Sequence, residues 1–171
     1  MILITTMEDT LYTEATAKLK AAKAVAYITD AGLPALATID WWEDQIGEAL
    51  KAEGNESMPF NMPALFFEFS PTKYTKRGST EIGSGELTLH LAQDKLGKDG
   101  RDGAETLTDF KDLLGYAALL VDILTEEKLP CSAMLVLSQI ERDHTNSPVM
   151  HERITFTWTA RYRRSAVPAI P

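Results

Sequence analysis

Cysteine occurs once in 171 residues, at Cys131. A lone thiol excludes an internal disulfide framework and fits a reducing compartment. Basic side chains are also scarce: 17 Lys and Arg stand against 25 Asp and Glu, a net charge of −8. A chain this acidic is a poor match for a nucleic-acid backbone or an anionic membrane. Apolar runs reach only a few residues, far short of the roughly 20 needed to span a bilayer. The opening stretch, Met1 to Asp9, has no basic region and turns acidic early, unlike a secretory signal. No internal repeat or low-complexity tract is visible. What is present is 44% hydrophobic residues, enough for an ordinary core and too many for a disordered chain. One domain fits this length, and these features predict a cytoplasmic protein.

The first periodic segment runs from Leu11 to Ala31. Leu11, Ala15, Leu19, Ala22, Val25 and Ala26 recur at three-to-four spacing, which predicts a helix. Asp9 or Thr10 would cap its start, and Gly32 followed by Pro34 would end it. A short strand is expected at Leu36 to Trp42, one or two helical turns at Glu43 to Leu50, and a loop from Glu53 to Pro63. Four longer strand signals follow. Ala64 to Phe69 is apolar on nearly both faces. Glu86 to Leu91 alternates, with its leucines on one face. Met134 to Ile140 is rich in β-formers and reads as mostly buried, and Ile154 to Arg163 alternates large apolar residues with Thr and Arg. Between the second and third of these, Leu107, Phe110, Leu114, Ala117, Val121 and Leu124 mark a second helix, with Thr106 and Asp109 as an approximate capping box.

Two hairpins separated by a helix predict an α+β fold. Its antiparallel or mixed sheet would have four to five strands, with two main helices on one face. Leu114, Ala117 and Val121 are expected to share an apolar layer with Leu89 and Trp158. Residues 1–10 would be an N-terminal arm, 11–164 the single domain and 165–171 a C-terminal tail. Pro71 to Gly85, Lys95 to Glu105 and Glu141 to Glu152 read as long loops, and Lys73 to Gly85 with Lys95 to Gly103 as the most mobile segments of a free subunit.

Motifs that would carry chemistry are weak. His90, Asp94, His144, His151 and Glu152 are scattered, without the tight spacing of a metal site, and His90 falls on the polar face of its strand with Glu86 and Thr88. Arg77 to Gly85 lacks the ending of a phosphate-binding loop. Lys98 to Gly103 would put lysine in the first position of a calcium loop. No Gly-x-Ser-x-Gly elbow exists, and Cys131 reads as a small buried thiol. No catalytic, cofactor-binding or metal residue is assigned. Trp41 and Trp42 are adjacent and would point to opposite faces of a strand, so one is core and the other is exposed or covers a partner. Lys73, Lys76 and Arg77 in one loop, and Arg161, Arg163 and Arg164 at the end of the last strand, are the basic clusters of an acidic chain. They are candidate contacts to an acidic neighbour.

The order of elements resembles a known family. Ile39-Asp40-Trp41 is followed by Pro63-Ala64-Leu65-Phe66-Phe67-Glu68-Phe69. Glu86-Leu87-Thr88-Leu89-His90-Leu91-Ala92-Gln93-Asp94 precedes an amphipathic helix, and Arg142-Asp143-His144-Thr145-Asn146 leads into Ile154-Thr155-Phe156. Over roughly residues 10–163 this is similar to the tail-terminator and tail-completion proteins of long-tailed bacteriophages, in the form found in Bacteroidetes prophages. The resemblance implies a non-enzymatic structural protein without cofactors. Such a protein would assemble into a virion as a ring-like homo-oligomer that contacts the tail tube or head–tail connector. Two alternatives stay open: a small ligand-binding domain or enzyme with its site at the His144/His151 hairpin, and an acidic adaptor or immunity-type protein.

Overall fold

The computed structural model describes residues 6–46, 60–77, 80–94, 103–126, 128–129, 133–143 and 149–162. Arg163, His144 and Cys131 therefore lie outside the described residues, as does the stretch 95–102. Helix α1 spans Met7–Lys20 and α2 spans Ala22–Asp30. Strands β1 (Thr38–Trp41), β2 (Ala64–Phe69), β3 (Lys73–Arg77) and β4 (Thr80–Asp94) follow. Helix α3 (Gly103–Thr125) then precedes β5 (Met134–Asp143) and β6 (Val149–Tyr162).

Residues 7–10, expected in an arm, belong to α1. Thr6, rather than Asp9 or Thr10, is the N-cap. Its hydroxyl accepts from the Asp9 amide at 3.1 Å, while Asp9 Oδ2 accepts from the Thr6 amide at 3.1 Å. This reciprocal box satisfies two amide donors that the helix start would otherwise orphan. The predicted single helix is broken at Ala21, which takes extended backbone angles (φ −62°, ψ 142°). Neither proline nor glycine marks the break. At the far end the expected stop holds: Gly32 adopts φ 82°, its amide donates to the Thr29 carbonyl, and the Leu33 amide reaches back to Ile28. That pair of bonds is a Schellman cap, and Leu33 is buried beneath it.

The sheet is mixed and six-stranded, in the order β1-β2-β4-β6-β5, with β3 also on β4. β1 runs parallel to β2, and the remaining pairs are antiparallel. The sixth strand arises where a loop was expected. Lys73–Arg77 pairs with Thr80–Ser84, so both stretches are strand where a loop was expected. Three residues, Ser70 to Thr72, separate β2 from β3, and both lie along the same edge of the long strand β4. The Ser70 amide and the Glu86 carbonyl keep that edge closed at 3.0 Å. The last two strands also extend beyond expectation, to Asp143 and from Val149.

Alternation along β4 and β6 sorts the core. Leu87, Leu89, Leu91, Ile154, Phe156 and Trp158 face the helices, and all are buried. They join Leu11, Ala15 and Leu19 of α1 and Tyr116, Ala117 and Leu120 of α3 in one cluster. Of the helix positions expected in this layer, Ala117 is buried and Val121 packs partly against it. Leu114 instead stays 42% exposed, and Tyr116 takes the inward place. Burial pushes the Tyr116 phenol up to about 12, and its hydroxyl donates to the Pro34 carbonyl. A Tyr inside a core requires such an acceptor.

Glycine has a structural task opposite Trp158. Gly85 is the direct cross-strand partner of Trp158, and a Cβ at Gly85 would sit 3.1–3.2 Å from the indole. The missing side chain is what lets the ring lie flat against β4.

Candidate functional site

The sheet face away from the helices is where side chains of opposite chemistry converge. Trp41 and Trp42 do point to opposite faces. Trp41 stacks on Tyr12 of α1 with centroids 4.7 Å apart, and Trp42 lies on the other side over His90. Both are half-buried, so each covers a neighbouring ring and neither stands free. The turn after β1 aims Trp42. The Gln45 amide donates to the Trp41 carbonyl at 2.6 Å, and its oxygen accepts from the Glu43 amide at 2.8 Å. Asp44 between them adopts a left-handed conformation, φ 59°, which Asp tolerates better than most residues.

His90 is not solvated, as its polar-face position implied, but 4% exposed. Trp42 stacks on it in a nearly parallel arrangement, centroids 3.8 Å apart. Its Nε2 is 2.8 Å from Glu68 Oε2 and its Nδ1 is 3.0 Å from His151 Nε2. The carboxylate can only accept, so His90 Nε2–H donates to it, Nδ1 accepts, and His151 Nε2–H donates. The cover is completed by a small apolar cluster of Ile46, Ala64, Phe66, Ala92 and Val149, against which Phe60 and Met62 pack. Burial lowers the His90 pKa, opposed by the hydrogen bond and charge of Glu68. Of the two histidines expected around the final hairpin, His151 therefore turns toward β4, and His144 lies outside the described residues. Among the described residues, no three His, Cys, Asp or Glu side chains converge as metal ligands.

A second titratable group sits on the helix side. Glu152 is fully buried, with Oε1 3.1 Å from Arg142 Nε and Oε2 without a hydrogen-bond partner. Desolvation raises its pKa, against the pull of Arg142. The alternation of β6 marks position 152 as inward, and that signal was available in the sequence.

The basic candidates share one end of the sheet. Lys73 and Lys76 are exposed on β3, and Arg77 closes that strand. Arg161 is exposed on β6, in register with Ile82 of β4, which itself faces Thr75 of β3. Pairing parity puts Arg161 on the sheet face of Lys73 and places Lys76 on the other. Elsewhere, a groove of about 820 Å³ lies between the α1–α2 break and the end of α3. Its polar rim includes Tyr27, whose hydroxyl donates to Asp122 at 3.4 Å, and the exposed pair Lys23–Glu126 at 3.3 Å. An ion pair that exposed contributes little.

The outer strand β5 carries an apolar run that reads as interior in the sequence. In the fold Met134, Val136, Leu137 and Ile140 are 40–51% exposed along it, on both sheet faces. Its bulge between Leu137 and Gln139 shifts the face pattern midway.

No family model matches the chain, and no curated protein matches it. Its fold is similar to that of a chain in a solved structure described as the virion of a native gene transfer agent particle. The match has TM-score 0.50 and 13% identity, covering 88% of this chain and 92% of that one. At that identity the likeness is one of fold: helices packed on one side of a mixed sheet.

Proposed function

We propose that this chain is a non-enzymatic structural subunit of a phage-like particle, of the tail-terminator or tail-completion kind. It acts through contacts with copies of itself and with a tail tube or head–tail connector. The observation that carries this reading is the fold likeness to a chain of a gene transfer agent virion, which spans nearly the whole of both chains. The family resemblance of the sequence points the same way independently. The apolar residues exposed on β5 and the basic side chains exposed on β3 and β6 are the surface such a role would use. The test is sedimentation of purified chain with tail tubes assembled from any tube protein encoded beside it, followed by electron microscopy. Density at one end of each tube, with tube length capped, is the expected result. Tubes that neither retain the chain nor stop growing would refute the reading.

A further inference from the structure

We propose that the Trp42 indole is a proton-operated latch on the sheet face away from the helices. It stays closed over His90 while the His90–His151 pair holds at most one added proton, and it swings away when the pair takes a second. The cover is tight. The Trp42 ring centroid lies 3.8 Å from that of His90, with the planes 3° apart, and 5.9 Å from that of His151. Under it His90 is 4% exposed, with Nε2 2.8 Å from Glu68 and Nδ1 3.0 Å from His151 Nε2. In the neutral pair one hydrogen lies between the two rings. A first added proton leaves that count at one, whether the charge settles on His151 or on His90 with the tautomer of its neighbour exchanged. A second puts a hydrogen on both facing nitrogens and a positive charge on both rings. The 3.0 Å contact then sets donor against donor and charge against like charge.

Relief requires water at His90, and Trp42 is what excludes it. The Trp42 amide donates to the Phe67 carbonyl at 3.0 Å, so the ring can leave by side-chain rotation while β1 stays paired. His151 is only half-buried. The surrounding charges act in both directions. Glu68 on β2 and Asp44 in the turn after β1 favour a charged His90. Arg153 of β6, its direct cross-strand partner, opposes the charge and is itself paired with Glu141 of β5 at 2.6 Å. His151 has Asp143 of β5 as its register partner. Glu68 is already engaged at Nε2, on the far side of the ring from Nδ1, so it does not take up a hydrogen placed there. Desolvation is the largest influence and lowers the His90 pKa. The closed form therefore binds fewer protons than the open one below pH 6.5, and acid favours opening. Opening also uncovers Phe66, whose ring centroid lies 6.0 Å from that of Trp42.

The test follows the histidine ring protons of the full-length chain by NMR from about pH 8 to about pH 4. An indole stacked on an imidazole moves the imidazole ring protons upfield. The part of that displacement lost at neutral pH in Trp42→Leu is the signature of the closed latch. In wild type it is expected to survive the first proton and to vanish with the second, at a pH below 6.5, while the methyl signals of Leu89 and Ile154 in the helix-side core stay in place. His151→Gln is the discriminating variant. Its carboxamide can donate to His90 Nδ1 or, turned over, accept from Nδ1–H, so the clash of donors is gone. This variant should remain closed at the pH where wild type opens, and matching thermal melts at neutral pH would establish that it folds. Three results overturn the proposal. The displacement could persist in wild type while both histidines titrate. It could be lost in His151→Gln at the wild-type pH, which would assign the opening to another group such as Glu68. It could also disappear together with the core methyl signals, which would make the change global unfolding.

Discussion

Gly85 and Gly83 lie two residues apart on β4, and substitution of each by Ala should move stability in opposite directions. At Gly85 the added methyl would meet three indole atoms of Trp158 at 3.1–3.2 Å, several tenths of an ångström inside ordinary contact. The ring cannot withdraw, since Trp158 is 1% exposed and packed in the main cluster. Overpacking of this kind costs about 1–3 kcal/mol, against about 0.4–1 kcal/mol regained from the less flexible unfolded chain. The net expectation for Gly85→Ala is a loss of about 1–2 kcal/mol. At Gly83 the nearest atoms are Thr72 Cγ2 at 3.4 Å and Trp158 Cζ3 at 3.5 Å, which is ordinary contact. Gly83→Ala should then keep the entropic gain and stabilise by about 0.5 kcal/mol. Urea denaturation with unchanged slope would read both values. A Trp158→Phe background supplies the coupling test: with the indole gone, the Gly85→Ala penalty should largely vanish. Equal effects at the two glycines, or a Gly85→Ala penalty unchanged in the Phe background, would refute the close-approach account.

Thr6→Ala removes the hydroxyl half of the α1 capping box and should cost about 1 kcal/mol in the same assay, whereas Thr6→Ser keeps the hydroxyl and should leave stability unchanged. Arg142→Met leaves the buried Glu152 carboxylate without its partner and should cost roughly 3 kcal/mol at neutral pH, with Arg142→Met/Glu152→Met recovering most of it. His90 is favoured neutral in the folded chain, so the unfolded chain binds more protons as pH falls below 6.5. Stability should therefore decline from pH 7 toward pH 5 more steeply in wild type than in His90→Gln, and parallel slopes would show that His90 is not the group responsible.

The helices and strands were legible where one periodicity ran without competition. β6 alternates from Ile154 to Arg161, and α3 buries Ala117, Leu120 and Leu124 of its apolar stripe. The Gly32 stop was readable because only glycine readily meets a left-handed cap. Two departures share a cause. Pro71 to Gly85, with its three glycines and its basic residues, reads as a loop on composition. Gly83 and Gly85, however, are strand positions against Trp158, far along the chain, and no local window contains that partner. The break at Ala21 was equally hidden, because Ala-Ala is as compatible with a continuous helix as with an interrupted one.

The site was less legible for a related physical reason. A histidine on the polar face of a strand is ordinarily solvated, and alternation does put His90 on that face. What alternation could not supply was the second cover: Trp42 and the residues around Ile46 and Phe60 close over that face at one end of the sheet. Once covered, His90 needs partners for both nitrogens, and Glu68 and His151, one on each flanking strand, supply them. Their register with His90 follows from sheet pairing and is absent from spacing along the chain. β5 shows the reverse case. A β-rich, largely apolar run reads as interior because such runs usually lie there. In the fold the strand has one neighbour among the described residues, and its bulge turns Leu137 and Ile140 to a single face at an open edge. Hydrophobicity in excess of what the chain itself buries marks a surface on which association should be tested.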